Sequence, residues 1–234
     1  MTNDMNKLEG IDTFLIDLDD TIFDFGKAEA IAVRDAFEEA GVEPTDRVLS
    51  EYSRINREIW KELERGEITR EVLLVERFRR LYDELGIDKD PGIVAKLYPE
   101  NLAKGFFWLP GARDAIIELS KKYNVYVASN GTTWIQKGRI AKSDLEQFVK
   151  GIFISQEMGA DKPSPLYFDA CFARMRIDRS RCCMVGDSLT SDILGGKNAG
   201  LKTVWVNTNK LPADPAIVPD FTIGSLTELT DLLN

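Results

Sequence analysis

The chain has no histidine anywhere in its 234 residues. That excludes Ser-His-Asp and Cys-His nucleophile pairs, imidazole metal sites and phosphohistidine chemistry. Proton transfer, if the protein is an enzyme, falls to Asp, Glu, Lys, Tyr or Cys. Cysteine is scarce: only Cys171, Cys182 and Cys183, an odd number without a C-x-x-C spacing, which argues against a disulfide framework or a zinc site. Cys182 and Cys183 lie in an apolar run and read as packing residues. No stretch reaches the roughly 18 apolar residues of a membrane span, and the polar run Met1 to Gly10 lacks an apolar signal segment. A reducing cytoplasm is the expected compartment. Positive charge is also in deficit: 30 Lys and Arg against 39 Asp and Glu leave a net charge of −9. This argues against nucleic-acid and anionic-membrane partners. Any anion site must then be assembled locally from backbone N–H groups, a few cations and a metal.

The chain does have an ordinary hydrophobic fraction, 44%, enough for a core. Its length suits one large domain, or a core domain with an insertion. Four short apolar runs read as buried parallel strands: Thr13–Leu18, Asn124–Ser129, Arg181–Gly186 and Lys202–Val206, with a weaker one at Ile152–Ile154. Helical patterns separate them at Ala112–Lys122, Pro165–Met175, Asp192–Ala199 and Ser225–Leu233, the last with Ser225 as a candidate cap. Alternating strand and helix predicts an α/β fold with a doubly wound, mainly parallel Rossmann-like sheet. One region breaks the alternation. Helical patterns at Lys27–Ala40, Asp46–Glu64, Thr69–Leu85 and Gly92–Lys104 follow one another with no strand between. The expected organisation is an α/β core of residues 1–24 and 106–234 with an all-helical cap, residues 25–105, inserted after the first strand. Such an insertion would emerge at the carboxyl ends of the strands, where open α/β sheets bind ligands. Its expected hinges are Asp24–Gly26 and Gly105–Trp108. The proline-bearing segment Asn209–Pro219 reads as a surface loop.

The chemistry-bearing residues sit where the strands end. The first run stops on Asp17-Leu18-Asp19-Asp20-Thr21. Two close carboxylates repel unless they share a proton or a cation, so Asp17 and Asp19 are candidates for a hard oxygen-ligand metal, Mg2+ above all, and for covalent carboxylate chemistry. A calcium loop starting at Asp17 fits poorly, because it would want glycine where Ile22 stands and glutamate where Ala28 stands. The second run ends Ser129-Asn130-Gly131, a hydroxyl and an amide ahead of a helix N-terminus, able to bind phosphate oxygens. Lys162 stands in the proline-rich loop Gly159–Pro165 as a point charge suited to a phosphoryl group. The fourth run ends Gly186-Asp187-Ser188, where Gly186 allows a tight turn, and Asp192 follows as a helix cap or a residue behind the metal ligands. Each of these alone also has a bland reading: a solvated acidic turn, an Asn-Gly turn, a loop lysine, a capping aspartate.

Taken in order, Asp17-x-Asp19-x-Thr21, Ser129-Asn130, Lys162-Pro163 and Gly186-Asp187-Ser188 with Asp192 resemble the four motifs of the haloacid dehalogenase-like hydrolase superfamily, and the helical block stands where that family carries its C1 cap. The resemblance implies a Mg2+-dependent phosphate monoester hydrolase acting on a small phosphorylated metabolite, as a monomer or homodimer. It implies Asp17 as the nucleophile that becomes an aspartyl-phosphate, and Asp19 as the acid that protonates the leaving alcohol and then activates water. Mg2+ would be held by Asp17, the Asp19 backbone carbonyl and Asp187, with Ser188 and Asp192 behind them. Thr21, Ser129, Asn130 and Lys162 would hold the phosphoryl oxygens. The run Asp19–Phe25 and the Ser129-Asn130-Gly131 form resemble the branch with pyrimidine 5′-nucleotidases, which implies a nucleoside 5′-monophosphate; phosphoglycolate or a sugar phosphate is the alternative. Phe23, Phe25, Trp60, Phe107 and Trp108 are candidates to stack on a base and equally candidates for the core. A 2-haloacid dehalogenase, a phosphomutase and a non-catalytic scaffold are the rival readings. Asp19 disfavours the dehalogenase, which has no alcohol to protonate.

Overall fold

Short runs of β-branched and aromatic residues, each closed by a polar turn, build the sheet. The computed structural model describes residues 7–233, so residues 1–6 of the polar N-terminal stretch lie outside it. Its strands are β1 (Thr13–Ile16), β2 (Asn124–Ser129), β3 (Gly151–Ile154), β4 (Cys182–Gly186), β5 (Lys202–Val206) and β6 (Phe221–Ile223). They form one six-stranded sheet in the order β3-β2-β1-β4-β5-β6, with every pairing parallel. β1 is shorter than the apolar run that encodes it. It ends at Ile16, and Leu18 turns the chain back by accepting from the N–H groups of Ile22 and Phe23. β4 likewise begins one residue later than expected, because Arg179–Arg181 form a 3-10 turn. β6 was not anticipated; three residues at a sheet edge carry too little periodic signal.

Both faces of the sheet are covered, which is why its strands read as unbroken apolar runs rather than alternating ones. Phe14, Ile16, Val127, Cys183 and Val185 pack into one core with Ile116 and Leu119, while Leu15, Ala128, Cys182 and Met184 pack on the other side with Tyr167, Phe168 and Cys171. All three cysteines are buried free thiols within these layers. The connecting helices are α5 (Ala112–Ser120), α6 (Thr133–Lys142), α7 (Ser155–Met158), α8 (Pro165–Met175) and α9 (Leu194–Asn198). The expected helix at 225–233 is a 3-10 helix over Leu226–Leu233. Among the described residues no helix is long and apolar enough to cross a membrane.

The contacts divide the chain into two units, one running up to Phe25 and resuming at Phe106, the other Gly26–Gly105. The second consists of α1 (Phe25–Glu39, from its second residue), α2 (Asp46–Glu64), α3 (Arg70–Leu85) and α4 (Pro91–Leu102). Its boundaries follow from capping. Thr45 and Thr69 accept from Val48 N and Val72 N, Asp90 caps α4 with Pro91 at its first position, and Gly86 ends α3 at φ 65°. Phe37, Tyr52, Phe78 and Tyr98 meet edge-on and stacked in its interior, with centroids 5.3–6.2 Å apart.

Candidate functional site

Four neighbouring strands, β3, β2, β1 and β4, each end beside one of the singled-out segments. The strand order reverses between β1 and β4, and that reversal is where open α/β sheets leave a crevice. Asp17 follows β1 immediately, and its N–H still donates to Val185 O at 2.9 Å. Asp187 follows β4 immediately. Lys162, only 1% exposed, reaches in from the loop between α7 and α8. Its ammonium donates to Asp17 Oδ1 at 2.6 Å, Asp192 Oδ1 at 2.6 Å and Ala128 O at 2.7 Å, which uses its three protons. Carboxylate oxygens of Asp17, Asp187 and Asp192 all lie within 4.8 Å of one another.

One buried ammonium among three carboxylates leaves the cluster short of positive charge. Burial pushes the Asp17 carboxyl up to about 8; Lys162 opposes the shift, while Asp192 and Asp19 add to it. Burial also raises Asp187 well above the usual carboxylate range, reinforced by Asp17 and Asp192. For Lys162 burial works the other way, but the Asp17 and Asp192 charges outweigh it and hold the amine above its ordinary range. A hard divalent cation is the ligand such an oxygen set fits, because it would relieve the repulsion that the protons now relieve. The residues present therefore suit Mg2+.

The tertiary structure changes the parts played by several residues. Asp192 was a candidate helix cap. The cap is Ser188, whose Oγ accepts from Ser191 N, and Asp192 lies four residues on within a π turn, Leu189–Ile193. Its Oδ2 reaches back to Ser188 N at 3.1 Å, and its Oδ1 holds Lys162. Gly186 was read as a tight-turn glycine, yet it ends a regular strand. Glycine is needed there because a Cβ would lie 2.1 Å from Asp192 Oδ2. Gly186→Ala should therefore displace the Asp192 carboxylate and loosen Lys162. An overpacking cost of about 1–3 kcal/mol is expected, seen as a lower Tm in thermal melts; an unchanged Tm would show that the carboxylate swings aside freely.

Asn130 does not offer its amide outward. Nδ2 donates to Lys162 O at 2.9 Å and Ser191 Oγ at 3.3 Å, and Oδ1 accepts from Lys162 N at 2.8 Å. The side chain braces the lysine loop, a role that sequence spacing cannot distinguish from phosphate binding. Ser129 is buried, and its Oγ accepts from Gln136 Nε2 at 2.9 Å. Thr21 is buried with its hydroxyl 3.5 Å from Asp187 Oδ1. Asp19 is not in the acidic trio. Its Oδ1 accepts from Arg139 Nη1 at 2.6 Å, and its Oδ2 from Gln136 Nε2 at 2.7 Å. Both partners come from α6; Arg139 escapes the motif reading, and the available signal is two polar residues, i and i+3, on the same buried stripe as Ile135 and Ile140. Of the candidate base-stacking aromatics, Phe23 is fully buried, edge-on to Trp108 at 5.0 Å.

A doubly wound parallel sheet with an acidic, lysine-braced ligand site at its reversal point defines the Rossmann-like α/β class. The family model for haloacid dehalogenase-like hydrolases matches residues 11–200. The HAD-hydrolase YfnB of Bacillus subtilis is 37% identical over 223 residues, 95% of each chain. The pyrimidine 5′-nucleotidases PynA of Streptococcus pneumoniae and YjjG of Escherichia coli are 35% and 31% identical, over 94% of this chain and 94% of PynA, and over 95% of this chain and 97% of YjjG. A crystal structure of YfnB bound to magnesium, one that reveals interdomain movement in that protein, matches with a TM-score of 0.91 over 96% of this chain and 99% of that one. The chain belongs to the haloacid dehalogenase-like hydrolase family.

Proposed function

We propose that the protein is a Mg2+-dependent phosphate monoester hydrolase that works through an aspartyl-phosphate on Asp17, with a nucleoside 5′-monophosphate as substrate. The observation that carries this reading is the acidic trio with its single buried lysine, which leaves Asp17 beside a cationic anchor in a charge-starved site. The nucleotide rests on the names of two relatives that match nearly end to end. In this reading an Asp17 oxygen bonds to phosphorus as the ester P–O bond breaks, and the departing alcohol oxygen takes a proton from Asp19. Water then bonds to phosphorus, its proton passes to Asp19, and the Asp17–phosphorus bond breaks to give inorganic phosphate. In this reading the Thr21 and Ser129 hydroxyls face the phosphoryl oxygens and the Lys162 charge stabilises them from beside Asp17, while Asn130 and Asp192 hold Lys162 and its loop in place and the Ser188 N–H holds Asp192. Asp17, Asp187 and the Asp19 carbonyl would hold Mg2+, which when bound supplies charge neutralisation and polarises the phosphoryl group. The helical unit, inserted in the chain between Asp19 and β2, is in this reading the cap that selects the leaving group.

The test is phosphate release from uridine 5′-monophosphate, 2-phosphoglycolate, glucose 6-phosphate and 4-nitrophenyl phosphate, with Mg2+ and with a chelator. Turnover is expected only with Mg2+, and fastest among the alkyl esters on the nucleotide. Halide release from a 2-haloacid without metal would instead favour the dehalogenase.

The raised Asp17 and Asp187 carboxyls also set a pH dependence. Folded-state proton affinity above the unfolded value means that the metal-free protein loses stability as pH rises toward about 8. Protons compete with the cation over the same interval. Mg2+ affinity should therefore rise from pH 6 to pH 8, by up to about tenfold per pH unit for each proton displaced. Calorimetric titration at three pH values reads this directly, and a flat profile would mean that Asp17 and Asp187 do not hold the ion.

A further inference from the structure

Two buried cations hold three of the four acids of the site, Asp17, Asp192 and Asp19. Lys162 serves Asp17 and Asp192; Arg139, with no exposed surface, serves Asp19. Arg139 is held in place from several sides. Its Nη1 also donates to Gln136 Oε1 at 2.8 Å, and its guanidinium lies over the rings of Phe23 and Phe25, 5.8 and 5.6 Å from their centroids. Gln136 is 3% exposed, and its Nε2 divides between Asp19 Oδ2 and Ser129 Oγ. Gly131 makes room for it, since a Cβ there would come within 2.8 Å of Gln136 Cγ. A planar guanidinium and a planar amide, three residues apart on α6, thus grip both oxygens of one carboxylate. Two such contacts fix the plane of Asp19, where one would fix only a distance.

We infer that Arg139 and Gln136 are positioning residues for Asp19, setting the orientation in which it takes a proton from the water that hydrolyses the aspartyl-phosphate. The inference rests on the assignment of Asp17 and Asp19 above. In the second half-reaction the water O–H proton must pass to an Asp19 oxygen while the water oxygen bonds to phosphorus and the Asp17–phosphorus bond breaks. A carboxylate released from its clamp rotates and meets that water less often. The first half-reaction with 4-nitrophenyl phosphate has no such need, because nitrophenolate leaves without a proton.

The two half-reactions therefore separate. In Arg139→Met, kcat for 4-nitrophenyl phosphate should fall by about 10²-fold, the lower end of general acid–base contributions. KM should fall with it, leaving kcat/KM, which reports the first step, within about threefold of wild type. Pre-steady-state mixing should show a burst of nitrophenolate close to one per active site, and acid-quenched protein should carry a phosphoryl group by mass spectrometry. Gln136→Leu, which removes no charge from the core, should give the same burst with a smaller loss. Partial unfolding cannot mimic this, because it lowers burst and steady state together. Asp19→Asn is the control. If Asp19→Asn accumulates the phosphoenzyme and neither α6 variant does, the positioning role is overturned while the Asp19 assignment stands. If Asp19→Asn itself accumulates none, the assignment falls and the inference with it.

Discussion

Asp17→Asn will release no measurable phosphate from any ester the wild-type protein hydrolyses. The expected fall in kcat is on the order of 10⁴–10⁶, the scale on which removal of a nucleophile is felt in a residue set that acts as a unit. Three features of the site make this substitution clean. Asparagine keeps the shape of the side chain, Lys162 retains Asp192 and the Ala128 carbonyl as partners, and the strand ahead of it is held on both sides by β2 and β4. The lost group is also one whose ionised form the metal-free fold disfavours, with its carboxyl raised to about 8. The metal-free variant should therefore be no less stable than wild type at pH 6, and relatively more stable as pH rises, while its stabilisation by Mg2+ shrinks. Phosphate-release assays paired with melts at two pH values separate this from damage to the fold. Residual turnover above about one hundredth of wild type would assign the nucleophile elsewhere, since loss of a single stabilising donor already costs about 10²–10³.

Lys162→Met should do the opposite to stability. It leaves Asp17 and Asp192 buried with no cation, and the Ala128 carbonyl without its donor. Breaking a buried pair by deleting one partner costs about 3–5 kcal/mol. For a chain of this size that is a Tm lower by roughly 10 °C in metal-free protein. The loss should be larger at pH 8 than at pH 6, because at the lower pH Asp17 can take a proton and discharge part of the repulsion. Added Mg2+ should recover some of it. Turnover should fall by about 10²–10³ or more even where the protein remains folded, since the proposed reading assigns this charge to stabilising the phosphoryl group. Thermal melts with and without Mg2+ at both pH values, beside the phosphate assay, read each part. A Tm within about 1 °C of wild type would mean that the acids are neutral without the lysine and that the pair is not the anchor it resembles.

Both predictions concern residues that the primary structure singles out, and the reason is local. A strand buried on both faces is apolar along its length, so the first polar residue at or just past its end marks the carboxyl end. Asp17, Ser129 and Asp187 were findable on that ground, and Lys162 because prolines confine it. The fold class was legible for the same reason: strand runs and helix periods alternate, and alternation admits few topologies. The four helices of Gly26–Gly105 were legible from their helical patterns, and the caps Thr45, Thr69 and Asp90 fix where three of them begin.

The contacts that decide how the acids behave were not legible, because they join residues far apart in the chain. Asp192 meets Lys162 across 30 positions, Asn130 meets it across 32, and Arg139 meets Asp19 across 120. Whether a buried polar side chain grips a neighbour or faces a ligand depends on which strand lies beside which, and no periodicity encodes that. Gly186 shows the difference most plainly: its identity is written in the chain, but the carboxylate that forbids a side chain there arrives from another element. By itself the amino-acid order determined which residues end the strands, through burial and local capping. Only the tertiary packing decided that Lys162 would hold Asp17 and Asp192 and that Arg139 would hold Asp19, because electrostatic pairing follows distance in space and not position along the backbone.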